Sequence, residues 1–397
     1  MFTYKSLITS LLFSFFIYSS FLEIENSFLN TTFAIMGFVS LFMLTKKELF
    51  VTGFLIGVLW FWWIGYSFVY YELSFLIPLV IIGIGFVYGV LFYIIGLSTN
   101  FFYRAGYIFA LSFIAPFGFN WFKIELPFIN SYFGTSKIEF VIILLCLAFF
   151  LTFQKKYKKG SIIGLACTFI GLYFYNYSII DQIKEPKIQI SKYETTIDQD
   201  KRWDRQYTRT IILDNIDAIK KAIKDKKDLI ILPETAFPLV LNHQDELNNT
   251  LFELSHKIAI VTGSLYEKDG LYYNSTYFYD QGKVEIAHKV VLVPFGEAVP
   301  LPEKLKLLIN DIFYNGAKDY ETAEKPTTFT IQGIKFRNAI CYEATTDKIY
   351  QDLDTPYVIA ISNNAWFTPS IQPTIQKLLM KYYSLKYNLI FFDVSNT

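Results

Sequence analysis

Residues 161–191 read SIIGLACTFIGLYFYNYSIIDQIKEPKIQIS, and within this one stretch the chain changes solvent. Ser161–Ile179 is apolar for nearly the length that a bilayer-spanning helix needs, about 20 residues. Lys187–Ser191 (KIQIS) then alternates polar and apolar residues as a half-buried strand does. The boundary near residue 180 divides the 397-residue chain into two parts of different composition. The overall 53% hydrophobic content therefore averages a membrane part with a globular part, and a net charge of +1 offers nothing to a nucleic-acid partner.

Working back from residue 161, further apolar stretches cover Leu7–Leu22, Phe28–Leu44, Phe50–Val69, Phe75–Leu97, Phe101–Trp121 and Ile138–Phe153, making seven expected spans in 1–180. The first is retained, because Glu23 and Glu25 stand where a signal peptide would have small residues. The fifth is interrupted by Pro116 and Gly118. Lys5, Lys46-Lys47, Arg104 and Lys155-Lys156-Tyr157-Lys158-Lys159 fall on one side of a seven-span arrangement. Glu23, Glu25, Glu72 and Glu125 fall on the other, with Lys123 and Lys137 as its cations. Positive charge marks the cytoplasmic side, so residues 181–397 are expected outside the cytoplasm. Gly83, Gly85 and Gly89 are read as packing glycines of a span, and Trp60, Trp62 and Trp63 as an interfacial aromatic belt.

Working forward from residue 191, strands are expected at Asp228–Leu232, Ile258–Gly263, Tyr272–Tyr279, Val284–Leu292, Phe329–Ile331, Lys335–Ile340 and Tyr357–Ser362. Helices are expected at Leu213–Lys224 and Thr374–Tyr387. This alternation is that of a layered α/β domain. Polar residues follow three strands: Pro233-Glu234-Thr235, Cys341-Tyr342-Glu343 and Asn363-Asn364-Ala365-Trp366. Strand carboxyl ends are where such sheets bind ligands. Cys341 has no second cysteine in this half, since Cys146 and Cys167 lie in expected spans. It reads either as a buried inert residue or as a reactive thiol. A thiol needs a base or nearby positive charge to become a nucleophile. Glu234 could be that base, and Lys289 could steady the thiolate and then an oxyanion.

LPETAFP (Leu232–Pro238), HKVVLVPFGEAVP (His288–Pro300), ICYEA (Ile340–Ala344) and NNAWFTPSIQPTIQ (Asn363–Gln376), behind a multi-span half, resemble the nitrilase superfamily. More narrowly, they resemble its membrane-bound branch, the apolipoprotein N-acyltransferases. The resemblance implies a helical membrane domain followed by an α-β-β-α nitrilase-like domain. It implies Glu234 as base, Lys289 as catalytic lysine and Cys341 as nucleophile, with Glu297, Tyr342 and Glu343 in support and Trp203 near the substrate. The reaction implied is transfer of an acyl chain from a phospholipid, through a Cys341 thioester, to the N-terminal amine of a diacylglyceryl-cysteine apolipoprotein. It would take place on the periplasmic side of a bacterial inner membrane, with no metal or cofactor. The same triad with water as acceptor would make a membrane-anchored amidase, and a multi-pass transporter with a non-catalytic outer domain is a third reading. Few charges lie inside the spans, which argues against an ion pathway.

Three departures accompany the resemblance. Asn364 stands where the family commonly has an acid, and Lys381–Asn388 lacks the family's Arg and Glu pattern. The chain reaches Thr397 where the family continues, so the expectation is a C-terminally truncated domain. Leu301–Phe313 has helical apolar spacing, suiting either an arm that dips into the bilayer surface or a helix packed on the core.

Overall fold

A computed structural model describes residues 4–179, 183–294, 296–298 and 319–397. It divides into two compact units, one of residues 1–182 with 370–386 and the other of 183–369 with 387–397. The Leu301–Phe313 segment lies outside the described residues.

Helices occupy all seven apolar stretches of the first unit: α1 (Tyr4–Phe21), α2 (Ser27–Met43), α3 (Lys46–Phe61), α4 (Ile77–Ile95), α5 (Phe101–Leu111), α6 (Lys137–Phe153) and α7 (Lys158–Ile179). Capping boxes set two of the starts. Thr45 with Glu48 opens α3, and Ser136 with Glu139 opens α6, each pair satisfying main-chain donors that a helix start leaves bare. Counted with their 3-10 continuations, Lys46–Tyr70, Ser74–Ile95 and Phe101–Gly118 are long and apolar enough to cross a membrane.

Three readings change here. The fifth stretch stays α-helical only to Leu111 rather than to Trp121. Pro116 follows, and Phe117 takes a left-handed φ of 54°. Trp60 and Trp63 are buried in the helix packing instead of forming a belt; Trp60 lies against Phe13 and Phe16 and donates to Ser14 Oγ at 3.0 Å. Arg104, read as a loop cation, is buried in α5 and donates to the carbonyls of Phe42 at 2.7 Å and Leu44 at 2.8 Å. It thereby satisfies acceptors left open at the end of α2. Gly85 and Gly89 do face α3, where an added Cβ would stand 2.8 Å from the Phe54 ring and 3.0 Å from that of Phe50. Gly83 meets nothing within 4 Å.

The second unit is built on two sheets. The first runs β1 (Ile190–Lys192), β2 (Leu229–Ile231), β4 (Ala259–Lys268), β5 (Leu271–Asp280) and β6 (Lys283–His288), with β3 (Phe237–Val240) also paired to β4. The second runs β10 (Ile390–Asn396), β9 (Tyr357–Asn363), β8 (Ile334–Ile340) and β7 (Thr328–Ile331). β1, β2 and β4 are parallel, as are β8, β9 and β10.

The period-2 alternation of β2 explains the layering. Leu229 and Ile231 enter a core with Val261, Phe336, Ile340 and Ile359, which joins the two sheets face to face. Ile230 and Leu232 point the other way, into a core with Ile216 and Ile219 from helix Arg205–Lys224 and Leu251 from helix Asp245–Ser255. The helix expected at Thr374–Tyr387 spans Gln372–Tyr387, and residues 370–386 group with the first unit. There Tyr382 Oη donates to buried Glu125 at 2.9 Å, Asn120 donates to Tyr383 Oη at 3.1 Å, and Lys381 donates to Asn130 at 2.8 Å. Strands β3 and β10 and helix Asp245–Ser255 were not anticipated.

Candidate active site

Parallel strands β2, β8 and β9 deliver Glu234, Cys341 and Asn363 from their carboxyl ends, and β6 delivers Lys289 just past its last residue. The turn after β2 is tight. Thr235 adopts a φ of 54°, and the main chain of Glu234 lies against β4 so closely that a Cβ on Gly263 would stand 2.6 Å from Glu234 Cα. Only glycine permits that approach. Cys341 also has a left-handed φ, 53°, as the chain bends from β8 into the 3-10 turn Cys341–Thr345.

Glu234 is fixed at both oxygens. Oε1 accepts from Asn274 Nδ2 at 2.7 Å, and Oε2 accepts from the backbone N–H of Asn363 at 2.7 Å. Lys289, with no exposed surface, holds Nζ 3.8 Å from Glu234 Oε1 and 2.8 Å from Glu297 Oε2. Asn274 Nδ2 also donates to Glu297 Oε1 at 2.9 Å, so one amide and one ammonium bridge two carboxylates. Glu297 in turn accepts from the Val293 N–H at 2.9 Å. Glu343 accepts from the N–H groups of Val290 at 2.9 Å and Ile340 at 2.8 Å. It thereby ties the loop after Lys289 to the bend that carries Cys341.

The electrostatics follow from burial and these neighbours. Burial raises the Glu234 carboxyl above its ordinary range, Lys289 opposes that rise, and Glu297 adds to it. Burial alone would lower Lys289, but Glu297, Glu234 and Cys341 together raise it, so it stays an ammonium. Cys341 is partly exposed as a residue at the rim of the core, yet its thiol is pushed up to about 12, by burial first and by Glu234 next, against Lys289. The resting sulfur is therefore a thiol, and its proton must leave as it attacks. A buried base with an ammonium beside it can do that work and steady an oxyanion afterwards.

Five of the seven nominated residues thus share one cluster: Glu234, Lys289, Cys341, Glu297 and Glu343. Tyr342 is buried in the turn after the cysteine. Trp203 is 43% exposed just after the short helix Gln199–Arg202. Sequence reasoning missed Asn274 and Arg202, which carried no signal; Asn363 stood among the polar residues expected at a strand end, with no role assigned to it.

The family profile for the apolipoprotein N-acyltransferase integral membrane domain matches residues 1–171, and that for carbon-nitrogen hydrolases matches residues 188–389. Similar proteins include the apolipoprotein N-acyltransferases of Wolinella succinogenes, 40% identical over 98% of this chain and 93% of that one, and of Helicobacter hepaticus, 39% identical over 91% and 90%. That of Helicobacter pylori is 35% identical over 94% of this chain and 88% of its own.

Proposed function

Because the chain belongs to the apolipoprotein N-acyltransferase family, we propose that it acylates the N-terminal amine of diacylglyceryl-modified lipoproteins, with a membrane phospholipid as acyl donor. The observation that carries the chemistry is one buried cluster in which a thiol, a carboxylate and an ammonium meet at strand ends. Glu234 takes the proton of Cys341 as Sγ attacks the ester carbonyl carbon. Lys289, with the backbone N–H of Tyr342, meets the charge that develops on the carbonyl oxygen. The C–O bond then breaks, Glu234 returns the proton to the departing alkoxide, and a thioester and a lysophospholipid result. In the second half the amine attacks the thioester, gives its proton to Glu234, and Glu234 reprotonates the leaving sulfur. Glu297 and Glu343 hold Lys289 and the nucleophile's bend in register, and Trp203 contacts the lipid substrate.

Loop charges at Lys5, Lys46-Lys47 and Lys155–Lys159 support a cytoplasmic N-terminus and a catalytic unit on the periplasmic side of a bacterial inner membrane. Arg104 drops out of that count because it closes the end of α2.

The test uses vesicles whose phospholipid carries a labelled acyl chain. The expected result is a hydroxylamine-labile acyl group on Cys341, absent in Cys341→Ala, that passes to a diacylated lipopeptide. Labelled fatty acid in its place, with none on the peptide, would assign the chain to the hydrolases.

A further inference from the structure

The helix Gln199–Arg202 is only one turn long, yet both of its end residues bury polar side chains against the groups that hold Glu234. Gln199 Oε1 accepts from Asn363 Nδ2 at 2.9 Å, and it is the backbone N–H of Asn363 that donates to Glu234 Oε2. Asn396 pins the same Asn363 side chain from β10, donating to its Oδ1 at 2.9 Å. From the other end, Arg202 Nη1 donates to the carbonyls of Glu234 at 3.0 Å and Thr235 at 2.6 Å. Arg202 is fully buried, its Nε and Nη2 have no hydrogen-bond partner, and among the described residues it forms no ion pair with a carboxylate. Burying a cation on those terms is unfavourable, and closing a turn does not require one.

We propose that Gln199 and Arg202 are positioning residues that clamp the catalytic base from two sides, Gln199 through Asn363 and Arg202 through the main chain of the Glu234–Thr235 turn. The inference rests on Glu234 acting as the base. The clamp holds the carboxylate to a single placement between thiol and ammonium, while the guanidinium charge favours its ionised form. The other titratable groups facing Glu234 are Lys289, Glu297 and Cys341. Arg202 in turn feels Glu234, although burial brings it down to about 10.

The full chain in phospholipid vesicles, assayed for thioester formation on Cys341 across pH, tests this. Arg202→Met is expected to slow acylation about 100-fold, the scale of a misplaced reacting group. It also moves the acidic limb upward by about one pH unit, because the carboxylate has lost a nearby cation. Arg202→Lys keeps the charge, so its limb stays in place and part of the rate returns. Gln199→Leu removes no charge and is expected to lower the rate. A folded Arg202→Met with wild-type rate and profile overturns the clamp, and so does an equal loss in Met and Lys variants with no shift of the limb. Should the Met variant not fold, wild-type rates in both Arg202→Lys and Gln199→Leu overturn it instead. Glu234→Gln and Cys341→Ala run alongside. Thioester formed by Glu234→Gln, or acyl transfer by Cys341→Ala, sinks the base-and-nucleophile reading itself, whereas dead controls beside wild-type clamp variants sink only the clamp.

Discussion

Glu343 shows how much one side chain can hold. Its carboxyl is pushed up to about 7 by burial, against Lys289 and the main-chain donors of Val290 and Ile340. Its folded value thus lies above the ordinary 4.5, so the folded state binds this proton more tightly than the unfolded chain. The stability it contributes is whole below 4.5 and is lost as pH rises through about 7. Unfolding midpoints measured across that window should fall with pH, and Glu343→Gln should flatten the fall. The same variant should lose about 2 kcal/mol at low pH, because its amide turns a donor toward a backbone donor. A variant that keeps the slope would show that another group titrates there. Glu234, Lys289 and Cys341 were nominated by short motifs, and the fold gathers them. Asn274 and Arg202 escaped notice because asparagine and arginine are ordinary surface residues, and Asn363 was read only as part of a polar strand ending. Their meaning here comes from strands and a helix far apart in sequence closing around one carboxylate.

At the scale of elements, close approach is written into glycines. Gly263 on β4 lets the Glu234 turn lie against the strand, so Gly263→Ala should leave a folded protein whose acylation rate falls about 100-fold as the base is pushed aside. An unchanged rate would mean the turn has slack. Between α3 and α4, a Cβ on Gly53 would stand 2.5 Å from Phe92 Cβ and from the Tyr88 carbonyl oxygen. Gly53→Leu should therefore destabilise the first unit by about 1–3 kcal/mol, read from thermal unfolding in detergent. Long apolar runs and alternating strands were legible because burial pattern and period agree. β3 was not, since Pro238 argues against a strand and the element pairs along one edge. Helix Asp245–Ser255 carries few apolar residues, and only Leu251 and Ser255 are buried. The tryptophans misled because an aromatic near a helix end suits a lipid interface and a packed core equally well.

Across the whole molecule, the helix Gln372–Tyr387 matters most, because sequence order puts it after the catalytic motifs while residues 370–386 group with the membrane helices. No sequence pattern distinguishes those neighbours; Ile375, Leu379 and Tyr383 would be buried in either setting. A protease site inserted between residues 182 and 183 should accordingly yield two pieces that still co-purify in mild detergent. Glu125→Ala combined with Tyr382→Phe, which removes the Tyr382–Glu125 hydrogen bond, should loosen them. Pieces that part at once in the parent protein would refute that tie. The consequence reaches the ancestry and engineering of such chains. A catalytic unit joined by one tether could be shuffled between anchors as a cassette, by a single recombination event. Here the chain leaves that unit after Pro369 and returns to it at Tyr387, which makes the exchange a matter of three crossovers at once, so anchor and catalyst are expected to be inherited together.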